Sequence, residues 1–67
     1  MNEKVFNVKG MTCGHCKMAV KEAVTDLDGV SSCEVDLEKG TAKVVFSDDV
    51  TDKDIISAIE EEGFKVS

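Results

Sequence analysis

The sequence predicts an α+β fold of order βαββαβ, in which a four-stranded antiparallel sheet carries two helices on one face. Three observations predict it. Apolar residues recur at every second position, then at every third or fourth, in the order strand, helix, strand, and this order occurs twice. Asp28-Gly29, Gly40 and Gly63 fall where those patterns break. The length, 67 residues, suits one domain spanning 1–67, near the lower limit at which an apolar core suffices without staples.

Lys4 to Val8 alternates with Phe6 and Val8 on one side, which reads as a strand. Cys16, Val20, Ala23, Val24 and Leu27 then trace one face of an amphipathic helix, and Asp28-Gly29 ends it. In the second strand Cys33, Val35 and Leu37 alternate with Ser32, Glu34 and Asp36. Glu38-Lys39-Gly40 makes a short hairpin connection, and Ala42, Val44 and Phe46 form the apolar side of the third strand. Thr51 with Asp54 has the form of a capping box, Asp standing in for the usual Glu or Gln. Ile55, Ile56 and Ile59 face the core from the helix it starts, Gly63 stops that helix, and Phe64-Lys65-Val66 is a short final strand. Both crossovers are long enough to be right-handed, giving the ferredoxin-like split βαβ arrangement.

Composition excludes several functions. Three cysteines cannot all pair, so the chain is no disulfide scaffold. No cationic stretch with a small-residue cleavage site precedes an apolar run, so no signal peptide is read and a cytoplasmic location is expected. No apolar run approaches the roughly 20 residues of a membrane span. A formal charge of −6, without a basic stripe interleaved with aromatics, argues against nucleic acid. The charge is uneven. Residues 1–21 carry four lysines against one acid, whereas residues 22–67 carry four lysines against 13 acids.

The basic end holds the chemistry. Residues 10–16 read Gly-Met-Thr-Cys-Gly-His-Cys, with Cys13 and Cys16 where a strand gives way to a helix. A thiol acts as ligand or nucleophile only as its thiolate, which a helix N-terminus stabilises. Acids usually gather in a first helical turn. Gly14 to Lys17 has none, which leaves that helix end open for sulfur. Cys16, inside the first turn and beside Lys17, is expected to be the more acidic thiol, and Cys13 the more exposed.

Such a pair has three readings. Structural zinc wants four Cys or His ligands, and a second pair is missing. Cys-Gly-His-Cys-Lys matches the active-site string of protein disulfide isomerases. Thioredoxin-like domains, however, are larger, normally place Trp before the first Cys and need a cis-proline. Thr12 occupies the Trp position, and the chain has no proline. A dithiol oxidoreductase therefore stands as the rival from another class. The third reading is a two-thiolate site, whose softness selects monovalent copper, then silver or mercury.

Neighbouring residues have plainer readings. Cys33 belongs to the inward face of the second strand, as a small hydrophobe. Met11 closes the core beneath the loop. Met18 points away from the apolar stripe and should be exposed. His15 points to solvent, and Glu60 to Glu62 form a solvated helix face.

Gly10-Met11-Thr12-Cys13-Gly14-His15-Cys16, then a helix, Gly29-Val30 and a terminal Gly63-Phe64, resemble the heavy-metal-associated domains, and among them the small soluble copper chaperones of bacteria. The resemblance covers essentially the whole chain. It implies the ferredoxin-like fold, Cu(I) bound by Cys13 and Cys16, and delivery to the related domains of copper-exporting P-type ATPases. Met11, Thr12, Gly14, His15 and Phe64 would support the site, with Thr12 placed to cap the helix, Gly14 letting the loop rearrange and Phe64 shielding the metal. One position departs from the chaperones, which usually carry Tyr where this chain has Phe64. Phe is more typical of ATPase-borne modules, so a module of that kind is the alternative. A chain ending without a linker after Val66 favours the free chaperone, and mercury-binding relatives normally carry a periplasmic signal. Lys9, Lys17 and Lys21 are the expected docking cations for an acidic partner. A monomer is expected without metal, with a copper-bridged dimer as the alternative when loaded.

Overall fold

Burial follows the alternation set by the sequence. Phe6 and Val8, Cys33 and Val35, and Ala42, Val44 and Phe46 are buried on one side of their strands, against Val20 and Val24 of the first helix and Ile55 and Ile59 of the second. The computed structural model describes residues 1–12 and 14–66; Cys13 and Ser67 lie outside the described residues. The elements are β1 (Asn2–Lys9), α1 (Gly14–Thr25), β2 (Val30–Asp36), β3 (Thr41–Phe46), α2 (Asp52–Glu61) and β4 (Lys65–Val66). The sheet runs β2-β3-β1-β4, every neighbouring pair antiparallel. This is the ferredoxin-like arrangement that the sequence predicts.

The helices cover one face. On the other, Val5 stays 55% exposed and Lys43 pairs with Glu3 at 3.6 Å. The hairpin and the thiol-bearing loop share one end of the sheet, because β1 finishes beside Thr41 and the Val8 amide donates to the Gly40 carbonyl at 2.7 Å.

The predicted capping box is present. The Asp54 amide donates to the Thr51 hydroxyl and the Thr51 amide to the Asp54 carboxylate, each at 3.2 Å. Val50, just before the cap, is buried in the same cluster as Ile55, the fourth residue of α2. These are the two positions of a hydrophobic staple, which fixes the angle at which the chain enters the helix.

Several boundaries differ from expectation: β1 extends to Asn2 and Lys9, β2 starts at Val30, and β4 leaves out Phe64. Two further differences have a local cause. α1 ends at Thr25, ahead of Leu27. The Leu27 amide donates to Val24 at 3.1 Å, three residues back, so the last turn tightens, and Leu27 packs on the core from the turn that follows. β2 ends at Asp36, ahead of Leu37. The Asp36 carboxylate accepts from the Glu38 and Lys39 amides at 3.0 and 3.2 Å, which turns the chain one residue earlier than the apolar alternation suggests.

Gly29 is required where it stands. Its φ is +99°, and a Cβ there would lie 2.7 Å from both the Ser47 hydroxyl and a Val50 methyl. The close approach lets the Ser47 amide donate to the Gly29 carbonyl at 2.7 Å, tying the end of α1 to the end of β3.

Candidate metal centre

β1 delivers the chain to this site. Val8 points into the core opposite Val66, Lys9 lies opposite Lys65, and Gly10 then turns with φ +97°. A Cβ on Gly10 would stand 3.5 Å from the edge of the Phe64 ring, so the aromatic brought in by the chain end flanks the segment leading to the thiols. Met11 follows, half-buried against the core, as the sequence predicts. Thr12 is exposed and lies two residues ahead of Gly14, where α1 starts.

Cys16 is half-buried in the first turn of α1, four residues before the fully buried Val20. It therefore heads the core-facing stripe, at the lip between core and water. Gly14, His15 and Lys17 are exposed, and Met18 is 59% exposed, each on the side the helical period assigns. Cys13 lies outside the described residues.

The two helix N-termini are built differently. α2 starts with Thr51 as cap and Asp52 and Asp54 in its first turn, so its dipole is already answered by acids. α1 has no acid in its first turn. Cys16 is the third residue of that helix, within a turn whose dipole favours negative charge. A half-buried thiol in a first turn without acids suits a soft cation better than a hard one. Among the described residues, no three of His, Cys, Asp and Glu gather as a metal cluster.

Cys33 takes no part in this arrangement. It is 2% exposed on the inward face of β2, opposite Val44. Burial pushes its thiol pKa up, with the Lys21 ammonium pulling partly the other way and Glu34 adding to the rise. A cysteine so held is protonated and behaves as packing.

The lysines expected to meet a partner divide into two settings. Lys17 and Lys21 line a groove between α1 and the outer edge of β2, whose other side carries Glu34, Asp36 and Glu38. Lys9 stands apart on β1. Lys65, opposite it, is a further cation at this end. The sequence reading passed over Lys65 because only the β1–β4 register reveals the pairing.

Comparison with known proteins gives the class. The profile of the heavy-metal-associated domain matches residues 5–65, and the chain belongs to that family. Among its relatives is the copper chaperone CopZ of Staphylococcus aureus (strain bovine RF122 / ET3-1), 45% identical over 67 residues and covering 98% of each chain. A solved CopZ metallochaperone is 42% identical with a TM-score of 0.96, over 98% of this chain and 100% of that one. A copper-binding domain from HMA7, a P-type ATPase, superposes with a TM-score of 0.96 at 35% identity, over 100% of this chain and 92% of that one. Among the described residues no helix is long and apolar enough to cross a membrane.

Proposed function

We propose that the protein is a cytoplasmic copper carrier that binds Cu(I) through Cys13 and Cys16 and hands it to the metal-binding domain of a copper-transporting P-type ATPase. The observation that carries this reading is Cys16 itself. It is a half-buried thiol at the head of an acid-free helix end, three residues after Cys13, in a chain 45% identical to a copper chaperone. The likeness to the ATPase-borne domain supports the choice of partner, since two domains of one fold can present similar thiol loops to each other.

Copper moves by ligand exchange. A thiolate of the partner attacks the two-coordinate metal, a three-coordinate intermediate forms across the interface, and one original thiolate leaves. The copper–sulfur bonds made equal those broken, no electron is transferred, and the metal stays monovalent throughout. Low coordination is the working feature, because it keeps copper open to a further sulfur. Gly14 gives the loop freedom to follow the metal, and Phe64 limits the access of water.

Titration with Cu(I), read by mass spectrometry under reducing conditions, tests the reading. One copper per monomer is expected, with tight binding lost in Cys13→Ser and in Cys16→Ser. Tight copper binding by the double variant overturns it. Turnover of a disulfide substrate by the metal-free protein would favour the oxidoreductase instead.

A further inference from the structure

We infer that Lys65, together with Lys9, forms the contact point for a carboxylate-bearing partner surface at the thiol end of the domain. The inference rests on the carrier reading above and replaces Lys17 and Lys21 as the principal docking cations. Register carries it. Lys9 and Lys65 are direct partners across the antiparallel β1–β4 ladder. Direct partners project to the same side with Cβ atoms about 4.5–5.5 Å apart. Val8 and Val66, the other pair in this ladder among the described residues, point into the core, so both lysines point away from the helices.

Like charges so opposed destabilise a sheet. Here they oppose each other in a strand of two residues. Both are exposed, and neither joins an ion pair among the described residues, where the pairs are Lys4–Asp52 and Lys43–Glu3. Lys17 and Lys21 differ, because three acids across their groove offset their field. A carboxylate set between Lys9 and Lys65 turns a repulsion into a bridge, so binding there gains the relief as well as the attraction. The position suits a carrier. Lys9 directly precedes Gly10 and Lys65 directly follows Phe64, and the Phe64 ring lies beside Gly10. A partner anion on this pair is thus seated next to the segment that leads to the thiols.

An NMR titration of the apo protein with hexaglutamate at low ionic strength tests the site. Amide shifts should centre on Lys9 and Lys65 and fade as salt is raised. Lys65→Glu should weaken the association about fivefold to tenfold, since one attraction becomes a repulsion. The same change should raise the thermal midpoint, because an opposite charge then faces Lys9. Lys9→Glu should do the same, and Lys17→Glu with Lys21→Glu should keep most of the binding. Cu(I) affinity of Lys65→Glu, measured by chelator competition, should equal wild type; a protein that binds no copper at all fails the carrier reading instead. Shifts centred on Lys17 and Lys21, or spread evenly to Lys39 and Lys53, overturn the inference. So does unchanged binding in Lys65→Glu. Lysines that only keep an edge strand from pairing would show that unchanged binding, together with aggregation once replaced.

Discussion

Cys33→Ala separates packing from metal chemistry within one substitution. The side chain is 2% exposed and faces Val44 across the sheet, so its sulfur is lost from a filled core. Removing one buried heavy atom forfeits about 0.8 kcal/mol of transfer free energy. The void it leaves, roughly 20 Å³, adds about 0.5 kcal/mol if the neighbours do not collapse. The expected loss is therefore about 1 to 1.5 kcal/mol, or a fall in Tm of about 5–10 °C for a domain of this size. Urea melts at neutral pH with reductant present measure it. The gap should narrow in alkali. Burial raises the Cys33 pKa above its ordinary 9.0, so the folded state keeps a proton that the unfolded chain releases. Wild-type stability from this group is whole below pH 9.0 and declines as pH rises through the folded pKa, whereas the variant has no such term. Copper affinity and the ratio of one metal per monomer should be unchanged. A large fall in Cu(I) affinity would refute the assignment of Cys33 to the core, and a stability gap that stays constant from pH 8 to 11 would refute the account of its burial.

Phe64→Ala should speed copper loss to a small chelator while the domain stays folded; unchanged release with a lower melting point would make Phe64 core alone. Gly29→Ala should cost about 2–4 kcal/mol in urea unfolding, because the residue sits at φ +99° and its Cβ meets a buried Val50 methyl that cannot turn away. A cost below about 1 kcal/mol would show that the turn relaxes freely. Alkylation rates across pH in Cys13→Ser and Cys16→Ser should give Cys16 the lower pKa, since it sits within the first turn of α1. Superimposable rate profiles would remove the helix end as the cause.

The parts of this molecule that were legible in its sequence are those whose causes are local. The Thr51–Asp54 box closes within four residues, and both its hydrogen bonds form as written. The exposure of Met18 and the burial of Cys33 follow from helical and strand period alone. Local competition explains what was misplaced. The Asp36 carboxylate captured two backbone amides and drew Leu37 out of its strand, although the apolar alternation ran through it. Val50 could have been found, since an apolar residue before a cap with another four residues into the helix is a staple. The pairing of Lys9 with Lys65, and the acids facing Lys17 and Lys21, were hidden for a different reason. Each joins residues far apart in the chain, and their proximity depends on strand register and on where α1 lies over β2.

The two ends of the domain are fastened unequally, and amide hydrogen exchange should register it. At the end away from the thiols, Asn2 donates to Asp48 at 2.7 Å, Lys4 pairs with Asp52, and the Ser47 amide holds the Gly29 carbonyl. At the thiol end the last strand is joined, among the described residues, by two residue pairs, one of them lysine against lysine. β4 is a two-residue strand at the sheet edge, so Lys65 and Val66 should exchange through a local opening, while the amides of central β3 wait for global unfolding. The distortion that accompanies handing over a metal ion can then be absorbed by the loosely fastened end, without being passed into the core that keeps the domain folded.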